Sequence, residues 1–134
     1  MSDVHRTSRV PIQLTHGCLV ASLQADLDEE DVQAFRSDLL GRVHASRPRG
    51  VIIDVSGVEV LDSHDFEQLR RVMAMAELLG ARSVLVGLGA GTVSALVDLG
   101  ATVDEVVATL DMEKAFRLLD ELAPADGWTR GEDR

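Results

Sequence analysis

One serine of this chain has the surroundings of a regulated hydroxyl group. Ser63 follows Asp62 at the point where an amphipathic helix is predicted to begin. Carboxylates crowd this junction, since Glu59, Asp62, Asp65 and Glu67 all lie within four residues of Ser63. A phosphoryl group on Ser63 would add about −1.5 to −2 charges. The helix dipole would help to hold that phosphate, and the carboxylates would oppose it. The residue types therefore predict either a plain helix cap or a phosphorylated serine that expels a docked partner.

A second candidate for phosphate chemistry is Asp54, near the end of a predicted buried strand. Sheets of α/β proteins commonly place functional groups at this end of their strands. A phosphoaspartate receiver, however, needs an acidic Mg²⁺-binding pair near the first strand and a later lysine. Residues 10–14 contain no acidic pair, and no lysine closely follows the predicted strand at 83–87, because Lys114 is the only lysine of the chain. We therefore discount the receiver interpretation.

Glycines at 87, 89 and 91 form a short loop before a predicted helix, and backbone N–H groups there could hold a phosphate. The Gly87–Gly91 loop lacks the lysine and the Ser/Thr of a P-loop. A tight strand-to-helix connection is the favoured interpretation. A small nucleotide-binding or hydrolytic enzyme that uses this loop is kept as an alternative.

The sequence predicts no metal site, no cofactor and no catalytic activity. The histidines and the single cysteine are scattered along the chain, and no two of them have the spacing that is typical of metal ligands. These residues are His5, His16, His44, His64 and Cys18. Adjacent residues of a helix point about 100° apart, so His64 is badly placed to act as a base for Ser63.

Composition indicates one globular α/β domain. Hydrophobic residues make up 46% of the 134 residues and aromatic residues only 3%, so the core is aliphatic. A net charge of −10 disfavours binding to nucleic acid and to anionic membranes. No apolar run approaches the roughly 18 residues of a membrane span, and we expect a cytoplasmic protein. Residues 1–9 are predicted to be a flexible N-terminus, 10–122 the folded domain, and 123–134 a disordered tail.

Hydrophobic periodicity and turn residues give the element order β-β-α-β-α-β-α-β-α, which is typical of a mixed, mostly parallel sheet with an antiparallel opening hairpin. Asp28 and Asp111 are predicted helix caps, and Asp62 or Ser63 begins the second helix. Strands are predicted at 10–14, 18–23, 50–55, 83–87 and 103–109, the last centred on Val106 and Val107; helices follow Asp28, Asp62, Gly91 and Asp111.

These segments resemble the STAS domain, the fold of anti-sigma factor antagonists, over residues 10–122. The matching pieces in order are VPIQL, LVASLQADLDEEDVQAF, GVIIDVSGVEVLDS, LLGARSVLVGL, LVDLGA and ATLDMEKAFRLL. The resemblance is greatest to the small single-domain members of the bacterial stressosome. We expect no sensory domain before the STAS region, and Glu29 stands where their larger paralogues carry a second acceptor threonine.

The resemblance implies a non-catalytic scaffold that a kinase switches by phosphorylating Ser63. The unphosphorylated form would hold an RsbT-like serine/threonine kinase within a large complex with RsbR-like STAS paralogues, and phosphorylation would release the kinase. The partner-binding residues would be Glu59, Asp62, Ser63, His64, Asp65 and Glu67. His64 and Asp65 stand where relatives have small or apolar residues, so kinase specificity is expected to differ. The alternative within the family is a simple anti-sigma factor antagonist that binds an anti-sigma kinase directly.

Overall fold

The computed structural model of the chain describes residues 10–24, 27–98 and 106–121. The predicted flexible N-terminus and disordered tail lie outside these residues, as does residue 122, the predicted end of the domain. The bounds predicted for the domain therefore stay a prediction.

The described part of the chain contains a five-stranded sheet whose strand order follows the sequence order. Strands β1 and β2 form the predicted antiparallel hairpin, while β2, β3, β4 and β5 run parallel to one another. The strands are β1 Ile12–Thr15, β2 Cys18–Ser22, β3 Gly50–Asp54, β4 Arg82–Val86 and β5 Ala108–Thr109. The predicted order of strands and helices is confirmed.

Four helices connect or follow these strands: α1 Glu29–Ser46, α2 Ser63–Leu78, α3 Ala90–Asp98 and α4 Met112–Glu121. The predicted caps are in place. The Asp28 carboxylate accepts the Asp31 N–H at 2.7 Å in a capping box, and the Asp111 carboxylate accepts the Lys114 N–H at 2.8 Å. Helix α1 ends at Arg47, which adopts the left-handed conformation (φ 47°) just before Pro48.

Hydrophobic side chains pack on both faces of the sheet, and successive residues of β3 belong to clusters on opposite faces. Val51 and Ile53 point into a large cluster shared with α1, α2 and α3, and Ile52 points into a smaller cluster against α4. Cys18 is fully buried in that smaller cluster, where it packs as a small apolar residue. Because β2, β3 and β4 are mostly buried, the ends of these strands and their loops carry the accessible polar groups.

Among the described residues the last strand is shorter than predicted, and residues 103–105 of the predicted strand lie outside the described part of the chain. Val106 and Val107, the predicted centre of the strand, lie outside it, and β5 pairs only with Leu85 and Val86 of β4. The Val107 carbonyl still accepts the Leu85 N–H at 2.9 Å. A strand at the edge of a sheet is held on one side only, so the β-propensity of two valines does not by itself extend the pairing.

Candidate functional site

Asp62, not Ser63, is the N-cap of α2. Asp62 has an extended backbone (φ −87°, ψ 177°), and its carboxylate accepts the Asp65 N–H at 2.8 Å. Its carbonyl accepts the Phe66 N–H at 2.9 Å, which closes the first turn. Ser63 is consequently the first helical residue and is half-buried. The cap interpretation of this pair therefore applies to the aspartate, and the serine hydroxyl is not needed to cap the helix.

The carboxylate of Asp62 stays ionised beside the serine. The Asp65 backbone N–H holds the pKa of Asp62 below its ordinary value, and the neighbouring His64 adds to the lowering. A phosphate on Ser63 would thus enter a site that already carries one fixed negative charge at the start of the helix.

Glu67 is ionised as well, but two guanidinium groups balance its charge. The Glu67 carboxylate accepts hydrogen bonds from Arg70 at 2.9 and 2.6 Å and from Arg71 at 3.2 Å. These bonds, from Arg70 above all, lower the pKa of Glu67 to about 2. Glu67 lies four residues after Ser63, on the same face of α2. The acidic cluster predicted around Ser63 is therefore less negative on its α2 side than the sequence suggested.

The other predicted partner-binding residues surround Ser63 on the loop and on the first turn of α2. Glu59 is exposed on the β3–α2 loop, His64 is exposed, and Asp65 is half-buried. An apolar side chain, Val60, is also 66% exposed on this loop, next to Glu59. Sequence reasoning missed Val60, because an isolated valine in a polar loop has no periodic pattern that would mark it.

The loop that leads to Ser63 begins with a turn built on Asp54. The Asp54 carboxylate accepts the Ser56 N–H at 2.9 Å and the Ser56 hydroxyl at 2.6 Å. The Val58 N–H then bonds to the Val55 carbonyl at 3.0 Å. Asp54 at the end of β3 therefore shapes the loop. The Asp-x-Ser spacing was the sequence signal for this turn.

A cleft of about 230 Å³ opens beside the first turn of α2, between α2 and the start of α1. His64, Asp65 and Gln68 line it from α2, and Leu27 and Glu29 line it from the side of α1. The sequence did not reveal this cleft, since it depends on how the two helix N-termini approach each other.

The Gly87–Gly91 loop forms a tight connection from β4 to α3. Gly87 has a positive φ of 91°, whereas a Cβ atom added to Gly89 or Gly91 would meet no atom within 4 Å. Within the described ranges, no three His, Cys, Asp or Glu side chains are grouped closely enough to hold a metal ion. In the same part of the chain, no helix is long and apolar enough to cross a membrane.

The fold, with its antiparallel hairpin, parallel strands and Ser63 at the start of α2, matches a known family. The family model of the STAS domain aligns with residues 9–118. The chain belongs to the STAS domain family. Among solved STAS structures, RsbS of Moorella thermoacetica is 29% identical, with a TM-score of 0.74 over 84% of this chain and 96% of that chain.

The chain is also similar to a chain from a stressosome structure and to an RsbT co-antagonist protein. A chain in a structure of the stressosome, described as a signal integration and transduction hub, is 26% identical, with a TM-score of 0.68 over 82% of this chain and 96% of that chain. The RsbT co-antagonist protein RsbRA of Bacillus subtilis (strain 168) is 25% identical over 103 residues, which are 77% of this chain. The alignment spans only 38% of RsbRA. The predicted resemblance to stressosome STAS proteins is confirmed.

Proposed function

We propose that this protein is a non-catalytic scaffold of a stressosome-type complex, which holds a serine/threonine kinase and releases it when Ser63 is phosphorylated. One observation carries the proposal. Asp62 caps α2, so Ser63 is a half-buried first helical residue whose hydroxyl the cap does not use. The similarity to RsbS and to RsbRA supports placing this serine in a stress-signalling complex.

Electrostatics at the start of α2 explain how a phosphate could be tolerated and yet act as a switch. The N-terminus of α2 offers the positive end of the helix dipole, which favours an anion by about 0.3–1 kcal/mol. The ionised carboxylate of Asp62 opposes the phosphate. A partner whose binding depends on a neutral Ser63 hydroxyl would meet about two added negative charges and lose affinity.

The proposed partners are an RsbT-like kinase and RsbR-like STAS paralogues. RsbRA is named as an RsbT co-antagonist, and the related stressosome chain comes from a large assembly, which together support this choice. The kinase would contact Glu59, Asp62, Ser63, His64 and Asp65. Glu67 would contribute less to this contact than the sequence suggested, because its charge is shared with Arg70 and Arg71.

The proposed role requires no chemistry from the protein itself. The one strand-end carboxylate considered for phosphoryl transfer, Asp54, is held by two hydrogen bonds from Ser56. Glycine is not required for close packing at Gly89 or Gly91. The two bonds from Ser56 support a structural role for Asp54, which fits a binding function at Ser63.

The test is phosphopeptide mapping after incubation of the protein with its cognate kinase and ATP. We expect phosphate on Ser63 and none on the Ser63→Ala variant. Ser37→Ala, which alters an exposed serine of α1, is the matched control and should accept phosphate as the native protein does. Phosphate located at another residue of the native protein would contradict the proposal.

A further inference from the structure

The β3–α2 loop is in direct contact with the neighbouring β4–α3 corner at Gly87. A Cβ atom on Gly87 would lie 2.6 Å from the Cβ of Ser56 and 2.7 Å from its backbone nitrogen. Two of the obstructing atoms belong to the Ser56 backbone, so no side-chain rotation relieves the contact. The positive φ of Gly87 (91°) strains any other residue as well. Gly87 is thus required for this approach.

The opposite side of the loop is in contact with the β2–α1 corner. A Cβ atom on Gly57 would lie 3.1 Å from the Leu23 carbonyl oxygen and 3.1 Å from Oε1 of Gln24. The Leu23 N–H also donates to the Asp54 carbonyl at 2.9 Å. The start of the loop is therefore enclosed between two corners of the same edge of the sheet.

Hydrogen bonds fix the loop within this enclosure. The Val55 N–H donates to the Val86 carbonyl at 2.8 Å, and Asp54 holds both the N–H and the hydroxyl of Ser56. We define Asp54, Ser56 and Gly87 as the loop clamp. Asp54 ends β3, Ser56 lies two residues after it, and Gly87 directly follows β4. The clamp therefore fixes the start of the loop against the ends of two neighbouring strands.

The rest of the loop transmits the position of the clamp to Ser63. Val58 and Leu61 pack against the main core, and Asp62 then caps α2 directly before Ser63. Only six residues separate Ser56 from Ser63, and several of them are anchored in this way. Because this segment is short and anchored, we expect a backbone shift at Ser56 to displace the hydroxyl of Ser63.

We propose that Gly87 and Asp54 are positioning residues that set how fast Ser63 accepts a phosphoryl group. The inference rests on the proposed function, in which Ser63 is the acceptor. Phosphoryl transfer depends on alignment of the attacking hydroxyl, and a misplacement of about 1 Å can cost about a hundredfold in rate. A Cβ atom on Gly87 must widen its 2.6 Å distance from the Cβ of Ser56 to beyond 3.0 Å, a displacement of at least about 0.4 Å.

The experiment measures steady-state phosphorylation of Ser63 by the cognate kinase. For Gly87→Ala we expect kcat to fall about tenfold while KM for the protein stays within about twofold, because the docking residues are unchanged. Asp54→Ala should show the same pattern. Asp54→Asn should restore most of the rate, since an amide oxygen can still accept the Ser56 bonds.

Two controls separate positioning from stability. Gly89→Ala, in the same loop, meets no atom within 4 Å and should keep the native rate. Val43→Ala creates a cavity at the end of α1 away from the loop and should lower stability without lowering kcat. Loss of kcat in Val43→Ala equal to that in Gly87→Ala would overturn the proposal.

A kinase-independent measurement completes the test. The ¹H–¹⁵N resonance of Ser63 should shift in Gly87→Ala and Asp54→Ala and stay in place in Gly89→Ala. If the native protein accepts phosphate at Ser63 and the clamp variants keep the native kcat, the positioning role alone is overturned. A native protein that does not accept phosphate at Ser63 would overturn the proposed function itself.

Discussion

At the residue scale, adjacent Asp62 and Ser63 have different roles. The aspartate caps the helix, with its carboxylate 2.8 Å from the Asp65 N–H, and the serine hydroxyl takes no part in the cap. The sequence could place both residues at the start of α2, since a cap followed by an apolar stripe predicts the boundary. It could not assign the cap to one of them, because Asp and Ser cap helices about equally well.

Removal of this cap should destabilise the fold. Asp62→Ala loses the bond to the Asp65 N–H, and we expect a loss of about 1 kcal/mol in the free energy of unfolding. Asp62→Asn is the matched control, because asparagine caps as well and should lie close to the native value. Urea denaturation monitored by circular dichroism measures both variants. Equal stability of the alanine and asparagine variants would contradict the assignment of the cap.

The charge pair at Glu67 predicts a dependence of stability on pH. The pKa of Glu67 is lowered from 4.5 to about 2, so its stabilising contribution is present above pH 4.5 and is lost as the pH falls towards 2. Because Glu67→Gln lacks this contribution, it should melt below the native protein at pH 7, and the difference should shrink between pH 4.5 and 2. Thermal melts across this range test it, and a difference that does not change with pH would refute it.

At the scale of elements, the sequence predicted the order, the hairpin, the caps Asp28 and Asp111, and the start of α2. Such features depend on local patterns: apolar periodicity, turn residues and acidic caps. The sequence did not predict the length of β5 or the contact between Gly87 and Ser56. Both depend on how segments far apart in the chain approach each other, and neither Val107 nor Gly87 carries that information locally.

A second tertiary link, also invisible in the sequence, ties α4 to the β1–β2 turn through Arg49. Its guanidinium donates to the His16 carbonyl at 2.6 and 3.1 Å and pairs with Asp120 of α4. We expect Arg49→Ala to lower the free energy of unfolding by about 1.5–3 kcal/mol, as for hydrogen bonds of charged groups.

The matched control for this link is Arg117→Ala. It breaks only an exposed pair with Glu113 one turn away on α4, which should contribute about 0.3–0.5 kcal/mol. Chemical denaturation distinguishes the two values. A loss in Arg49→Ala no larger than in Arg117→Ala would show that Arg49 does not hold α4 against the turn.

At the scale of the whole molecule, the chain is an acidic STAS protein with a net charge of −10. Its relatives include RsbS, RsbRA and a chain of an assembled stressosome. Like-charged copies repel one another at long range, so a surface of this kind favours a partner of complementary charge over self-association.

Assembly with a paralogue is the corresponding prediction. Mixed with an RsbR-like STAS protein, the chain should enter a particle of megadalton size, whereas alone it should remain small. Size-exclusion chromatography with light scattering measures both states, and Ser63→Ala should assemble as the native protein does. Two separately eluting small species at every salt concentration would contradict the stressosome role and leave the STAS fold unaffected.

The central claim is that phosphate on Ser63 releases a bound kinase, and one titration tests it directly. The affinity of the cognate kinase is measured for the unmodified protein and for protein fully phosphorylated at Ser63, at one salt concentration. We expect phosphorylation to weaken the binding free energy of the kinase by about 2 kcal/mol or more, as when a desolvated polar contact is broken. The dissociation constant should therefore rise about 30-fold or more. Equal affinity of the two forms would contradict the switch.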